Sequence, residues 1–518
     1  MQTRMSFAVA IRSKRIRLAV VALLTGLSCL PFLRGIFWLA DEGVLLQGAE
    51  RLLRGERLYR DFFEFLPPGG FLLAAGWFGL TNVSLFSARV LATFTFIGIA
   101  CVLYSVTLRV SCNTLASTVA VVVFVVTSQG VLMQVSHHWF TTLFCISALF
   151  GSLIWIDTHR LSWVILAGLA GGAATMITPT RGALAVMAGL LALTDGGRFN
   201  ATALTHYVVA VAVFPMLLIV YAVSQGSLSA AFDNVIVWPA VHYANIQSVP
   251  YGFGADAQNM PLNFIFQVAA FLAVVHVARD WRAALRDRTL HVCAAFALAA
   301  FAGLSVRPDT VHIAYATPLV LPLILYSGRR LVADFRSLQL ATMAAVVFVM
   351  ALPTATLLIK AYVVIRAPVI ETPRGGIRVF REDVKLIIRR VADLPVDSTI
   401  FYYPHDPLLA FLTARGNASK LDIFIPNYTT PNQFEEECRA VIRSADWVVI
   451  DQLTINSWQR WFPAMRDPMP PERVLFESAI ERSFSLVANE GLFDLRKASM
   501  RDESICSDVS GPSRKNPP

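Results

Sequence analysis

The sequence predicts a polytopic α-helical membrane protein of about eleven transmembrane helices, with a small C-terminal α/β domain outside the cytoplasm. Three observations lead there. Of the 518 residues, 56% are hydrophobic and only 15% charged, with a mean hydropathy of +0.58, values that soluble chains rarely reach. Apolar runs of roughly 16–25 residues, each about long enough to cross a bilayer, recur as far as Tyr362. Beyond Tyr362 the pattern changes to alternating helical and strand-like segments.

Taken in order, residues 1–17 form a cytoplasmic N-terminus, with Arg4, Arg12, Lys14, Arg15 and Arg17 ahead of the first apolar run. Those charges resemble the basic region of a signal peptide. No small-x-small cleavage site follows, so an uncleaved first span is expected. Spans fall near 18–40, 85–108, 114–133, 138–156, 163–178, 182–194, 206–224, 263–278, 291–306, 311–327 and 339–361.

The segment 66–81 is apolar but short, and includes Pro67-Pro68-Gly69-Gly70. The positive-inside rule decides its role. If it is re-entrant or interfacial, the cytoplasm receives Arg109, Arg160, Arg198, "RDWRAALRDR" (279–288) and "GRRLVADFR" (328–336). The loop 225–262, which has no Lys or Arg, then faces outward. A spanning 66–81 would invert every later loop and destroy that bias. Residues 41–81 are therefore read as the first extracytoplasmic loop of a membrane module over 18–361.

Residues 371–498 hold strand-like runs "STIFYY" (398–403), "LDIFIP" (421–426), "WVVID" (447–451) and "GLFDLRK" (491–497), separated by helical patterns. That alternation indicates a small α/β domain. Residues 499–518 are polar and read as a disordered tail. The net charge of +9 comes largely from short-loop arginines, which are topology signals; no nucleic-acid footprint is indicated. The seven cysteines show no paired spacing, so neither a zinc site nor a disulfide framework is indicated. Cys438 and Cys506 are the two that a location outside the membrane would let pair.

This topology puts an unusual polar set on one face: Asp41-Glu42; Tyr59-Arg60-Asp61 and Glu64; "VSHHW" (135–139); "TPTRG" (178–182); "WPAVHY" (238–243); and "SVRPDTVH" (305–312). Ionisable groups at membrane ends are cheap singly, so their convergence is the signal. Asp41-Glu42 opens an amphipathic helix with apolar Val44, Leu45, Ala49, Leu52 and Leu53 and a stop at Gly55. A carboxylate there complements the helix N-terminus and can also serve as a general base at the bilayer surface. Arg181 and Arg307 lie on the side that should be poor in arginine. They either snorkel to the interface or bind phosphate through their guanidinium forks.

His137 and His138 are adjacent, hence about 100° apart on a helix, and do not chelate together. Structural or substrate hydrogen bonding suits them better than a metal. His242, Tyr243 and Tyr251 are interfacial aromatics or a sugar-stacking surface.

The stretch "DEGVLLQGAERLLRGERLYRDFFEFLPPGG" (41–70) after an uncleaved span resembles the first extracytoplasmic loop of GT-C glycosyltransferases, in the protein O-mannosyltransferase and lipid A aminoarabinose transferase branch. "RPDTVHIAYATPLVLPLI" (307–324) is similar to that branch's Arg-x-Asp-x-x-His segment leading into a proline-bearing span. The likeness covers roughly 15–360. It implies an enzyme of the bacterial inner membrane that moves a sugar from a polyprenyl-phosphate donor to an envelope glycan, lipid (such as lipopolysaccharide) or protein acceptor, on the extracytoplasmic face. By that likeness Asp41 is the base and Glu42 supports it or orients the acceptor, while Arg181 and Arg307, with Arg60 as a lesser third, are candidate ligands of the donor phosphate. Tyr59, Asp61, His137, His138, His242, Tyr243, Asp309 and His312 become candidate substrate contacts.

One departure stands out: the aminoarabinose branch has a lysine immediately before its Pro-Pro, where this chain has Leu66. No DxD motif follows the first span, so no cofactor or divalent metal is indicated, though Asp61 and Glu64 leave one open. Two rivals remain. A flippase for lipid-linked saccharides would place charges near the midplane, whereas these spans are nearly free of them. A non-catalytic envelope scaffold would need neither Asp41 nor the outward arginines.

Overall fold

Residues 2–195, 198–332 and 336–509 are described by a computed structural model. Each expected apolar run folds as a helix. Seven are long and apolar enough to cross a membrane: Lys14–Phe32, Leu85–Ser111, His137–Thr158, Ala201–Ser224, Met260–Arg279, Thr310–Leu331 and Ala344–Arg366. Shorter apolar helices occupy Gly69–Leu80, Thr114–Ser128, Leu161–Thr175, Pro179–Leu193 and Arg288–Ala302. The first helix stops sooner than the expected 18–40. The ladder of Gln2–Cys29 gives way to a 3₁₀ turn at Leu30–Phe32, and Gly35–Ile36 is already strand. Pro31 explains the stop, because it cannot donate to the helical ladder.

The chain forms two compact units. One comprises Met1–Leu33, Arg89–Val220 and Pro250–Tyr362; the other comprises Arg34–Ala88, Tyr221–Val249 and Val363–Pro518. In the first, His137–Thr158 packs on Leu161–Thr175, which packs on Pro179–Leu190; Arg288–Ala302 and Thr310–Val332 complete the group. The absent side chain of Gly182 sets one of these approaches. A Cβ there would lie 2.2 Å from Thr175 N and 2.5 Å from Ala174 C, both backbone atoms that cannot rotate away. Glycine thus lets the start of Pro179–Leu190 press against the end of Leu161–Thr175, and Arg181 is seated by that contact.

The second unit is built on a five-stranded sheet in the order Gly416–Asn417, Thr399–Tyr403, Trp447–Asp451, Phe493–Ala498, Phe484–Glu490. The first two pairings are parallel and the last two antiparallel. Phe401, Phe424, Phe434, Phe476 and Val448 form a core in which none is exposed. The helix Pro431–Ser444 opens with a capping box of Thr430 and Gln433. "LDIFIP" (421–426), expected as a strand, is a loop. Its backbone is spoken for elsewhere: Asp422 O meets His405, Ile423 O accepts from Thr429, and Phe424 N donates to Pro404 O.

A small second sheet pairs Gly35–Ile36 in parallel with Ile377–Val379. The first loop therefore shares a unit with the C-terminal residues, whereas the sequence expects them apart. Cys438 and Cys506 are joined in a disulfide, and Glu503–Asp508 forms a 3₁₀ helix. The expected disordered tail is thus ordered over 499–509, because the disulfide ties it to the helix Pro431–Ser444. Residues 510–518, also expected to be disordered, lie outside the described residues.

The helix that opens the first loop is Asp41–Leu53, stopped at Gly55 with φ +89°. Val44, Leu45 and Ala49 are buried as its pattern demands, while Leu53 is exposed. Gly43 matters most here. A Cβ would sit 1.9 Å from Leu408 N, so only glycine allows the backbone at Pro407–Leu408 to touch the first turn.

Candidate functional site

In the first unit, six of the expected site residues are assembled from three connections. His137 and His138 start the helix His137–Thr158, capped by Ser136, whose side chain accepts from His138 N. Their rings lie 3.9 Å apart; side-chain torsions close the gap that the helical step leaves between them. Arg181 is buried at 7% exposure. It donates to His138 Nδ1 (3.3 Å), Thr142 Oγ1 (3.4 Å) and Tyr315 O (3.4 Å). Arginine only donates, so His138 Nδ1 accepts and its proton sits on Nε2. His138 stacks on Tyr315 at 4.6 Å and meets the edge of His312 at 4.7 Å.

The third connection carries a clasp. Arg307 Nε donates to Asp309 Oδ2 at 2.7 Å. Asp309 Oδ1 takes the His312 backbone N–H at 2.8 Å and lies 2.7 Å from His312 Nδ1. Burial pushes the Asp309 carboxyl up, but the attraction of His312, its hydrogen bonds and the Arg307 charge outweigh it and bring the pKa down to about 2. Asp309 is thus a carboxylate fully committed to Arg307 and His312. Arg181 has no carboxylate partner among the described residues. Two guanidiniums, three imidazoles and one carboxylate thus meet in this cluster.

In the second unit, Asp41 is the first residue of its helix, and Ala40 is the N-cap with no side-chain cap bond. Asp41 stands in the first turn, where a carboxylate complements the helix N-terminus, and its side chain is 76% exposed. Glu42 is buried. His405 Nε2 lies 3.6 Å from Asp41 Oδ1. Nearby acids are of another kind. Burial pushes Glu64 and Asp406 well above the usual carboxyl range, and Asp422 upward too, with neighbouring carboxyls Asp422 and Asp451 reinforcing the first two.

Other expected residues are engaged locally. Arg60 pairs with Asp61 (2.9 and 3.1 Å) in the open. Tyr59, at φ +72°, is buried and donates to Leu66 O at 2.8 Å. His242 lines an open cleft of about 240 Å³ with Phe63, Asp233, Asn234, Trp238 and Gln433. Tyr243 packs on Phe65, which stacks on Trp238. No group of three or more His, Cys, Asp or Glu is placed to hold a metal among the described residues. Sequence reasoning missed Thr142 and Tyr315, ordinary helical residues without a pattern signal. The stretch "YYPHDP" (402–407), which in the sequence reads as a turn or a contact loop, carries a signal too general to pair its histidine with Asp41.

The sequence matches no family model and no curated protein. Solved structures do match. ArnT from Cupriavidus metallidurans bound to undecaprenyl phosphate aligns at TM-score 0.56 and 14% identity, over 96% of this chain and 99% of that one. Its apo state aligns at 0.56 and 13% with the same coverage. The arabinofuranosyltransferase AftD from mycobacteria aligns at 0.51 and 14%, over 94% of this chain and 40% of that one. Both are GT-C superfamily membrane glycosyltransferases. The chain shares their fold over nearly its whole length, and is a multi-pass membrane protein.

Proposed function

We propose that this protein is a membrane glycosyltransferase that moves a sugar from a polyprenyl-phosphate donor to an envelope acceptor. The observation that carries the reading is Arg181, a buried guanidinium whose partners are all neutral. An uncompensated buried charge costs several kcal/mol, so the site calls for an anion. A phosphate meets that need, with Arg181 and Arg307 as its forks and the His138 Nε2–H as a further donor. Lipid-linked phosphate is the anion that fits a membrane protein of this fold, and ArnT was solved with undecaprenyl phosphate.

In the reaction, the acceptor's hydroxyl or amine loses its proton to Asp41 and attacks the anomeric carbon from the face opposite the phosphate. The sugar–phosphate bond breaks, and its electron pair leaves with the phosphate. The arginines stabilise that departing charge, the larger catalytic task. Glu42 supports Asp41 from within the fold. Arg60, held by Asp61, is the lesser phosphate candidate, and the absent lysine at Leu66 leaves Arg181 and Arg307 with more of the charge to balance.

The reading places the protein in a bacterial inner membrane, N-terminus in the cytoplasm and the Cys438–Cys506 unit outside. A structural disulfide supports that sidedness, since disulfides persist in oxidising compartments. Asp41→Asn tests the chemistry. It should leave the protein inserted but lower transfer at least about 100-fold, the contribution of a general base. Near-normal transfer would remove Asp41 from the mechanism.

A further inference from the structure

Asp41 has a neighbour that the reaction as described does not use. Leu408 N donates to Leu39 O at 2.9 Å, and the close approach at Gly43 presses the same loop onto the helix start. His405 is pinned there at 8% exposure. Its Nδ1 lies 2.8 Å from Asp422 O. A carbonyl oxygen only accepts, so Nδ1 carries the hydrogen. Nε2 is then the nitrogen left for Asp41 Oδ1, 3.6 Å away. Asp422 is itself held, its Oδ1 accepting from Asn417 Nδ2 at 2.8 Å. The imidazole is thus fixed in tautomer and direction by groups that belong to the sheet unit.

We propose that His405 is the positioning residue of Asp41 and relieves it of the proton taken from the acceptor. The inference rests on the reading of Asp41 as base. The acceptor's O–H or N–H bond breaks and its electron pair forms the new bond to the anomeric carbon; the proton passes to Asp41 Oδ1. From there it moves to His405 Nε2, leaving a carboxylate beside an imidazolium, and Asp41 is ready for another turnover once the imidazolium loses its proton to solvent. The charged and titratable groups around His405 are Asp41, Asp406 next in the chain, on which Asp451 and Arg381 act, and Asp422 behind Nδ1. Arg51, Glu56 and Glu64 act through Asp422. Burial raises Asp406, Asp422 and Glu64, while Arg51, Asn417 and His405 pull Asp422 back down.

His405→Asn separates relay from scaffolding. An asparagine Nδ2–H stands where the histidine Nδ1–H stands and can still donate to Asp422 O, but it cannot take a proton. Transfer would be followed in native membranes, which hold donor and acceptor, as modified over unmodified envelope glycolipid across a pH series. The expected result is a rate lower by at least about 10-fold, with loss of the imidazole-dependent part of the wild-type pH profile. Wild-type rate and profile in His405→Asn would overturn the proposal, as would a lowered rate with the profile unchanged. If His405→Asn fails to accumulate, His405→Gln gives the complementary comparison: its amide reaches the Nε2 position toward Asp41 without being able to take a proton, and the same rate and pH profile are read. Asp41→Asn run alongside keeps the two claims apart: an active Asp41→Asn sinks the base itself, whereas an inactive Asp41→Asn with unaffected His405→Asn sinks only the relay.

Discussion

At the residue scale, the two arginines read alike in the sequence but stand differently. Arg307 is partnered by Asp309, whereas Arg181 reaches only a histidine nitrogen, a hydroxyl and a carbonyl. Arg181→Lys should therefore be the more damaging change, because an ammonium loses the fork that neutral partners and phosphate share. One charge-assisted contact is worth about 1.5–3 kcal/mol, or roughly 10- to 150-fold in affinity for undecaprenyl phosphate, measurable by titration in detergent. Lysine behaving as arginine would return both residues to snorkelling. Asp309 gives a pH prediction. Its carboxyl is depressed from 3.8 to about 2, so its stabilisation is present above pH 4 and is lost as pH falls toward 2. The amount is about 2 kcal/mol. Thermal unfolding in detergent should lose stability over that window in the wild type and be flatter in Asp309→Asn; equal slopes would contradict the clasp. Both arginines were legible as candidates because they broke the positive-inside pattern. The difference between them was not, since it depends on Thr142 and Tyr315, which only the packing of separate helices brings to Arg181.

At the scale of elements, the helix Asp41–Leu53 was legible in its existence, its acidic start and its glycine stop, but not in its burial: Leu53 of the apolar set is exposed, while Glu42, Gln47, Glu50 and Arg51 are buried. Nor was its partner legible. The residues Pro407 and Leu408 that close on Gly43 lie more than 350 positions away, and no local pattern connects them. The loop 421–426 failed for a related reason, because an alternating apolar run says nothing about which side chains will claim its backbone groups. Gly43→Ala tests the contact. Its methyl group would meet backbone rather than a yielding side chain, so the variant should lose about 1–3 kcal/mol and with it most of the transfer activity. A Gly43→Ala protein with wild-type melting and activity would show that the His405 loop does not depend on this approach. The corresponding change at Gly182 should weaken undecaprenyl phosphate binding instead, since Arg181 is its neighbour in the chain.

At the scale of the whole molecule, composition and apolar runs announced a multi-pass membrane protein, while the arrangement into units was hidden. The C-terminal residues join the first loop through strands of two and three residues, too short to carry a periodic signal. Sidedness is testable by labelling. Cysteines introduced at Asn259 and at Asp467 should react with an impermeant thiol reagent from outside, and one at Arg282 should not; the reverse would mean that Gly69–Leu80 spans and would undo the shared outward face. The most direct test of the central claim is mass spectrometry of envelope glycolipids and glycoproteins from a deletion strain complemented with wild type or Asp41→Asn. The account predicts that one envelope component gains the mass of a single sugar with wild type and lacks it with Asp41→Asn, at equal protein levels in the membrane. An identical envelope in the two strains, with the sugar present in both, would contradict it.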